Sequence, residues 1–327
     1  MHHLTYGDIE AASERIAGRV RPVALTPVDP SPERSGELWL ALEFMQHTGS
    51  FKARGAQNFL QAHREAGTLP AAGVTIASGG NAGLACAWAA RQQGVRATVF
   101  VPTTAPAVKV SKLRGLGADV RPVGSEYAEA LAACEEFAAE DGALAAHAYD
   151  HPLIAAGAGT LLEEIHQRIP DVDTVVVAVG GGGLFAGVAT AAREHGVRTV
   201  AVEPEHSRAL NAALAAGRPV DVTVDSVAGD SLGARRVSAT ALDVAQLGRV
   251  HSVLVPDAEI VRARRALWDD HRVVVEHGAA TALAALNGPS GQPGGYRPEP
   301  GEKVCVVLCG ANTDPSDLVE EPRGRSV

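Results

Sequence analysis

Cysteine is scarce in this 327-residue chain: there are four, Cys86, Cys134, Cys305 and Cys309. None stands in a Cys-x-x-Cys pair, so neither a zinc ribbon nor a disulfide framework is indicated, and reduced thiols in a cytoplasmic protein fit best. Runs rich in Lys or Arg are also missing, and 29 basic against 38 acidic residues leave a net charge of −9. That balance argues against nucleic acid or an anionic membrane surface as partner. The longest apolar runs, such as residues 175–179, are far too short to span a bilayer. The start, Met1-His-His-Leu-Thr-Tyr-Gly-Asp8, lacks the basic, apolar and small-residue order of a signal peptide. There is no fixed-period repeat and no polar low-complexity tract. What remains is an ordinary globular composition, 46% hydrophobic and 20% charged, with a length that suits two domains or one large α/β unit.

Short β-branched runs alternate with long alanine-rich stretches. The pattern predicts strands over 74–77, 97–101, 174–179, 198–203 and 304–308, and helices over 82–93, 107–116 and 184–195. Uninterrupted apolar strands separated by helices indicate an α/β fold of parallel sheets covered on both faces. Three strand-to-helix junctions carry glycine: Ser78-Gly-Gly-Asn-Ala-Gly83, Gly180-Gly-Gly-Gly183 and Cys309-Gly-Ala-Asn312. Ligands of open α/β sheets bind beyond the carboxyl ends of the strands, so these loops are expected to face one crevice. Residues 287–300 read as a Gly/Pro-rich surface loop, and the polar tail from Pro315 is expected to fray.

The middle glycine loop admits two readings. Gly181-x-Gly183-x-x-Ala186, followed 20 residues later by Glu203, fits a dinucleotide fingerprint and an NAD enzyme. Four consecutive glycines, however, make a broader nest of N–H donors than a pyrophosphate turn needs, and they suit a compact phosphate monoester. The NAD reading requires a colourless protein that takes up a nicotinamide cofactor.

A lysine offers the second clue. Lys52 lies where a helix begins, just past Gly49-Ser50, at the end of the macrodipole that disfavours an ammonium. A phosphate nest with a poised lysine suggests pyridoxal 5'-phosphate, which needs a Schiff-base lysine, a phosphate cup and a partner for its ring nitrogen. At this point a family resemblance appears. Gly49-Ser-Phe-Lys-Ala-Arg-Gly-Ala56 is similar to the lysine motif of the fold-type II pyridoxal-phosphate enzymes, the threonine/serine dehydratase (ammonia-lyase) and serine racemase group. Ser78-Gly-Gly-Asn-Ala82 resembles their substrate loop and Gly180-Gly-Gly-Gly183 their phosphate cup. Ala156-Gly-Ala-Gly-Thr160, Val202-Glu-Pro204 and Cys309-Gly-Ala-Asn312 follow in the family's order, so the likeness runs from Thr26-Pro27 to Asn312.

The resemblance implies a two-domain, tryptophan-synthase-β-like architecture. A small domain, 47–146, would be inserted into a large cofactor-binding domain, 1–46 and 147–317, with a flexible tail over 318–327. It also implies roles. Lys52 would form the Schiff base and act as α-proton base, with Phe51 packing on the ring and Asn81 bonding its 3-hydroxyl oxygen. Gly180, Gly181, Gly182, Gly183 and Leu184 would hold the phosphate. Ser78, Gly79, Gly80, Asn81 and Ala82 would form the substrate loop, with the amides of Ser78, Gly80, Asn81 and Ala82 on the carboxylate. Ser231 would stand on the substrate side, its alternative being a loop serine bonded to its own backbone. Glu276 would lie near the ring, in a loop where His277 replaces the family's proline. Cys309 would replace the usual serine beside the pyridine nitrogen, its alternative being a buried small hydrophobe. A thiol is a weak donor and acceptor, so the ring would be a modest electron sink suited to loss of a β-leaving group.

Racemisation needs a second acid/base opposite the lysine. The racemases carry a serine where this chain has Gly79, which favours β-elimination of L-threonine or L-serine to a 2-oxo acid and ammonia. The alternatives are a racemase, a lyase for another β-hydroxy amino acid such as 3-hydroxyaspartate, and a non-catalytic pyridoxal-phosphate or amino-acid binding protein. No arginine matches one that would bind a second carboxylate, and Tyr127 falls in a segment that approaches substrate in some relatives. The family's cation ligands fall at Glu203, Ser207 and Ala209; the last offers no carboxylate, so no metal is expected. A homodimer, and no regulatory domain after Asn312, complete the expectations.

Overall fold

Two parallel sheets, facing each other across a cleft, carry the site. They are seen in a computed structural model that describes residues 3–29, 36–286 and 295–319. The strands are β1 (Leu25–Pro27), β2 (Glu37–Ala41), β3 (Val74–Ala77), β4 (Ala97–Val101), β5 (Asp119–Pro122), β6 (Leu144–Ala145), β7 (Thr174–Ala178), β8 (Arg198–Pro204), β9 (Val250–Val255) and β10 (Lys303–Val307). The larger sheet has the order β1-β2-β10-β7-β8-β9 and the smaller β5-β4-β3-β6. Every pairing is parallel except β1 with β2. Every residue of β3, β4 and β7 is buried, as helices on both faces require. The strands that the pattern does not announce are β1, β2, β5, β6 and β9. β1, β5, β6 and β9 lie at a sheet edge, and β2 is only partly covered, with Glu37 exposed and Trp39 half-buried, so all five lack the uninterrupted apolar run.

Each sheet reverses its strand order once, and both reversals open on the cleft. In the larger sheet the reversal lies between β7 and β10, whose ends release the tetraglycine loop and Cys309. In the smaller it lies between β3 and β6, which release the Ser78 loop and the segment after Ala145. Such reversals leave a crevice because neighbouring connections depart to opposite faces.

The helices Lys52–Glu65 and Pro152–Arg168 lock the two halves together. They meet backbone to backbone: a Cβ on Gly157 would fall 2.7 Å from the Arg54 carbonyl oxygen. Beneath them Arg54, fully buried, donates to Glu43 (2.6 Å), Glu164 (2.6 Å) and Thr160 (3.1 Å). The start of the Lys52 helix is thereby fixed to the segment before it.

Two expectations are corrected. The chain does not fray at Pro315. Ser316–Val319 forms a helical turn because Arg264 pairs with Asp317, Arg265 donates to the Leu318 carbonyl (2.8 Å), and Leu318 is buried. The expected surface loop is not all surface: Tyr296 is buried, with its phenol oxygen accepting from Arg198 at 2.6 Å. The remainder of that loop, 287–294, and of the expected tail, 320–327, lies outside the described residues. Among the described residues no helix is long and apolar enough to cross a membrane.

Candidate active site

Lys52 owes its place to a short piece of backbone pairing. Ser50 bridges Gly310, Phe51 N–H donates to the Cys309 carbonyl (2.9 Å), and Ala311 N–H donates to that of Gly49 (2.9 Å). The lysine turn is thus stitched to the loop leaving β10. Getting there requires left-handed backbone at Thr48 (φ 64°) and Gly49 (φ 74°). The Lys52 Nζ donates to the Ala148 carbonyl, beyond β6, at 2.7 Å, and lies 4.8 Å from the Phe51 ring centre. Burial brings its amine down to about 8, against the opposing pull of Cys309 and Glu276. Cys309, in turn, is buried, and this pushes its thiol up to about 12, with Glu276 adding to the effect and Lys52 opposing it. It is therefore a neutral thiol at any physiological pH.

The Ser78 loop ends in the helix Asn81–Gln92. Ser78 Oγ accepts the Gly80 N–H at 3.3 Å, so that amide, expected on a carboxylate, is already engaged. The amides of Gly79, Asn81 and Ala82 have no partner among the described residues. The Asn81 side chain is committed on both sides: its Nδ2 donates to Glu276 (2.9 and 3.1 Å) and its Oδ1 accepts from Asn312 Nδ2 (2.8 Å). Asn312 also gives its backbone N–H to Glu276 (2.8 Å) and its side-chain amide to the Thr48 carbonyl (2.6 Å). Glu276 is held protonated to higher pH by burial, opposed by the bonds from Asn81 and Asn312. This network joins the small-sheet loop to the ends of the larger sheet.

Between β7 and the helix Gly183–Glu194, the amides of Gly180, Gly181, Gly182, Gly183 and Leu184 donate to nothing among the described residues. At Gly182 the backbone is left-handed (φ 97°), and a Cβ would fall 2.4 Å from that of Ala241. A Cβ on Gly181 would fall 2.4 Å from the Tyr149 ring, which roofs the loop while its hydroxyl donates to the Arg236 carbonyl (3.2 Å). Free amides at a helix start are an anion cradle. Together with a partly deprotonated lysine and a neutral thiol at the end of the neighbouring strand β10, the cradle fits pyridoxal phosphate: phosphate, aldehyde and ring nitrogen each find a group of suitable chemistry.

Ser231 lies in the turn Gly229–Leu232, its Oγ so near Gly278 that a Cβ there would stand 2.2 Å from it. It therefore sits against the helix that Glu276 precedes. Tyr127 is exposed at the start of the helix Tyr127–Asp141. Glu203 is fully buried and accepts the amides of Leu210 (2.7 Å) and Asn211 (2.8 Å), while Ser207 Oγ donates to the Leu232 carbonyl (2.9 Å). Among the described residues no group of three or more His, Cys, Asp or Glu side chains is placed to hold a metal. Sequence reasoning missed three participants. Asn312 stood inside a matched motif and only its role went unread. Ala148 acts through a carbonyl, and Tyr149 by covering a glycine, and neither leaves a residue pattern.

A family model described as pyridoxal-phosphate dependent enzyme matches residues 18–310. The chain is 38% identical over 285 residues to the human protein named serine dehydratase-like, covering 84% of this chain and 85% of that one. It is 37% identical over 316 residues to the L-threonine ammonia-lyase of Geobacter sulfurreducens, covering 95% and 76%. Maize serine racemase superposes with a TM-score of 0.88 at 26% identity, over 97% of this chain and 96% of that structure.

Proposed function

The chain belongs to the pyridoxal-phosphate-dependent enzymes, and we propose that it is a lyase converting L-serine to pyruvate and ammonia and L-threonine to 2-oxobutanoate and ammonia. The observation that carries this reading is one-sidedness. Lys52 is a half-buried amine with its proton affinity lowered to about 8, while loop position 79 is a glycine with no side chain to act from the other face. One base suffices for elimination, whereas racemisation needs two acid/base groups.

When bound, pyridoxal phosphate supplies the electron-withdrawing ring that makes the substrate α-proton removable. The rest falls to the chain. The unpartnered amides of Gly180, Gly181, Gly182, Gly183 and Leu184 would hold the phosphate, and Tyr149 would keep water off that cradle. Cys309, as a neutral thiol, would face the ring nitrogen without giving it a full proton. The free amides of Gly79, Asn81 and Ala82 would bind the substrate carboxylate, and the Asn81–Glu276–Asn312 network would keep that loop in place. Lys52 would accept the proton from Cα. Loss of the β-hydroxyl as water, then hydrolysis of the resulting enamine, balances the reaction to one 2-oxo acid and one ammonia per amino acid.

The same proposal takes 47–146 as a small domain closing on the remainder. It also takes the working form as a cytoplasmic homodimer, with four free, buried cysteines that suit a reducing compartment. The test is stoichiometric release of 2-oxo acid and ammonia from L-serine, L-threonine, their D-forms and threo-3-hydroxyaspartate, with Lys52→Ala as control. Release from L-serine or L-threonine that vanishes in the control supports the lyase. A cofactor-loaded protein that releases nothing but interconverts enantiomers overturns it.

A further inference from the structure

Away from the reacting groups, an ion pair crosses the mouth of the cleft. Lys109 Nζ lies 2.8 Å from Asp230 Oδ1. Lys109 belongs to the helix Ala107–Gly115, which follows β4 of the smaller sheet. Asp230 belongs to the turn Gly229–Leu232, which packs on the helix His277–Ala284 beside the larger sheet. We propose that Lys109 and Asp230 are positioning residues for the reaction, a latch that presses the substrate-carboxylate loop into its binding shape. This rests on the lyase reading for its kinetic arm only.

One helix links the ion pair to the substrate loop. Ala107–Gly115 is loosely held: Leu113 is its one buried residue, and its main packing is on the helix Asn81–Gln92 and on β5. Leu113 is where it touches the active site, since its Cδ2 lies 3.5 Å from where a Cβ on Gly83 would be. Gly83 is in the first turn after the free amides of Gly79, Asn81 and Ala82, and its Cβ would fall 1.8 Å from the Ser78 carbonyl oxygen. Lys109 is four residues before Leu113, one turn along the same helix face. When Lys109 holds Asp230, the helix has a fixed point at one end of that stripe and bears on the loop at the other. Asp230 is next to Ser231, whose Oγ abuts Gly278 two residues after Glu276, so the latch closes directly beside the network that secures Asn81.

Both partners are partly open to water, with 35% and 77% of their side chains exposed. The pair is therefore weak enough to break and re-form in each turnover, and a change of about 1.5- to 5-fold is expected when it is removed. The experiment uses the cofactor-loaded protein with Lys109→Met, Asp230→Asn and the exchanged pair Lys109→Asp/Asp230→Lys. Hydrogen exchange over residues 107–115 is read by mass spectrometry, and KM and kcat for L-serine in parallel. Each single substitution is expected to speed exchange there and raise KM about 1.5- to 5-fold, with kcat within about twofold. The exchanged pair is expected to return both towards the parent, and added salt to move the parent towards the single variants. Unchanged exchange in both single variants, or an exchanged pair no better than the worse of them, overturns the latch. Should no substrate turn over at all, the exchange arm decides by itself, separating failure of the latch from failure of the lyase reading.

Discussion

Replacing Lys52 with methionine should reveal how strongly the fold disfavours a charge at that point. The amine's affinity falls from 10.5 to about 8 on folding, with burial as the leading cause. Between those values the unfolded chain binds more protons than the folded one, so the stability of the cofactor-free protein rises with pH across that window. Below pH 8 the penalty is fully present; at about 1.36 kcal/mol per unit it is about 3 kcal/mol at pH 7. By pH 9.5 it has fallen to about 1.4 kcal/mol on the same scale. Methionine carries no titrating group, so its packing and the lost bond to the Ala148 carbonyl displace the comparison by a constant and leave its slope alone. Since Lys52 is partly open to the cleft, we expect the parent to gain about 1–2 kcal/mol on the variant between pH 7 and 9.5. Urea titrations of both cofactor-free proteins at the two pH values measure this. A difference that stays flat, or that moves in the variant's favour as pH rises, refutes the reasoning. The same shift leaves roughly a quarter of the amine neutral at pH 7.5, against about 0.1% for an ordinary lysine, and the neutral amine is the form that attacks an aldehyde.

Two other substitutions probe the frame around that amine. Gly182→Ala places a methyl group 2.4 Å from Ala241 on left-handed backbone. Strain of about 1–2 kcal/mol and overpacking of about 1–3 kcal/mol should appear as a lower Tm and at least tenfold weaker cofactor uptake, followed by absorbance titration. Parent-like uptake would show that the loop does not cradle the phosphate. Glu43→Gln removes one carboxylate from the buried Arg54 and leaves Glu164 and Thr160 as its remaining side-chain partners. A loss of about 1.5–3 kcal/mol is expected in urea unfolding, and a loss below about 0.5 kcal/mol would mean the segment before Lys52 is fixed by something else.

What the sequence made legible was what the backbone demands. The tetraglycine run could be read because a side chain at Gly181 or Gly182 would collide, and because only such a loop leaves five amides free. Buried strands such as β7 were legible from their composition, since a strand covered on both faces has to be apolar throughout. Edge strands β1, β5 and β9 meet no such demand and went unannounced. Asn312, the Ala148 carbonyl, and the Lys109–Asp230 pair stand 231, 96 and 121 residues from the groups they contact, so no local pattern could announce them.

The two strand-order reversals explain why these long-range contacts converge. A single open sheet offers one crevice and can supply the phosphate cradle and the thiol, but every group it presents comes from the same floor. Here the second sheet turns its own crevice towards the first, so that the carboxylate loop and the Ala148 carbonyl arrive from above while Lys52 is stitched to the floor at Gly310. The lysine therefore touches both halves, through the Cys309–Ala311 pairing on one side and Ala148 on the other. Separation of the sheets would let water reach the amine and return its affinity towards 10.5, which abolishes the neutral fraction on which the proposed chemistry depends. Closure and basicity are in this way one property of the cleft, and the exposed latch at its mouth closes beside the network that secures the carboxylate loop.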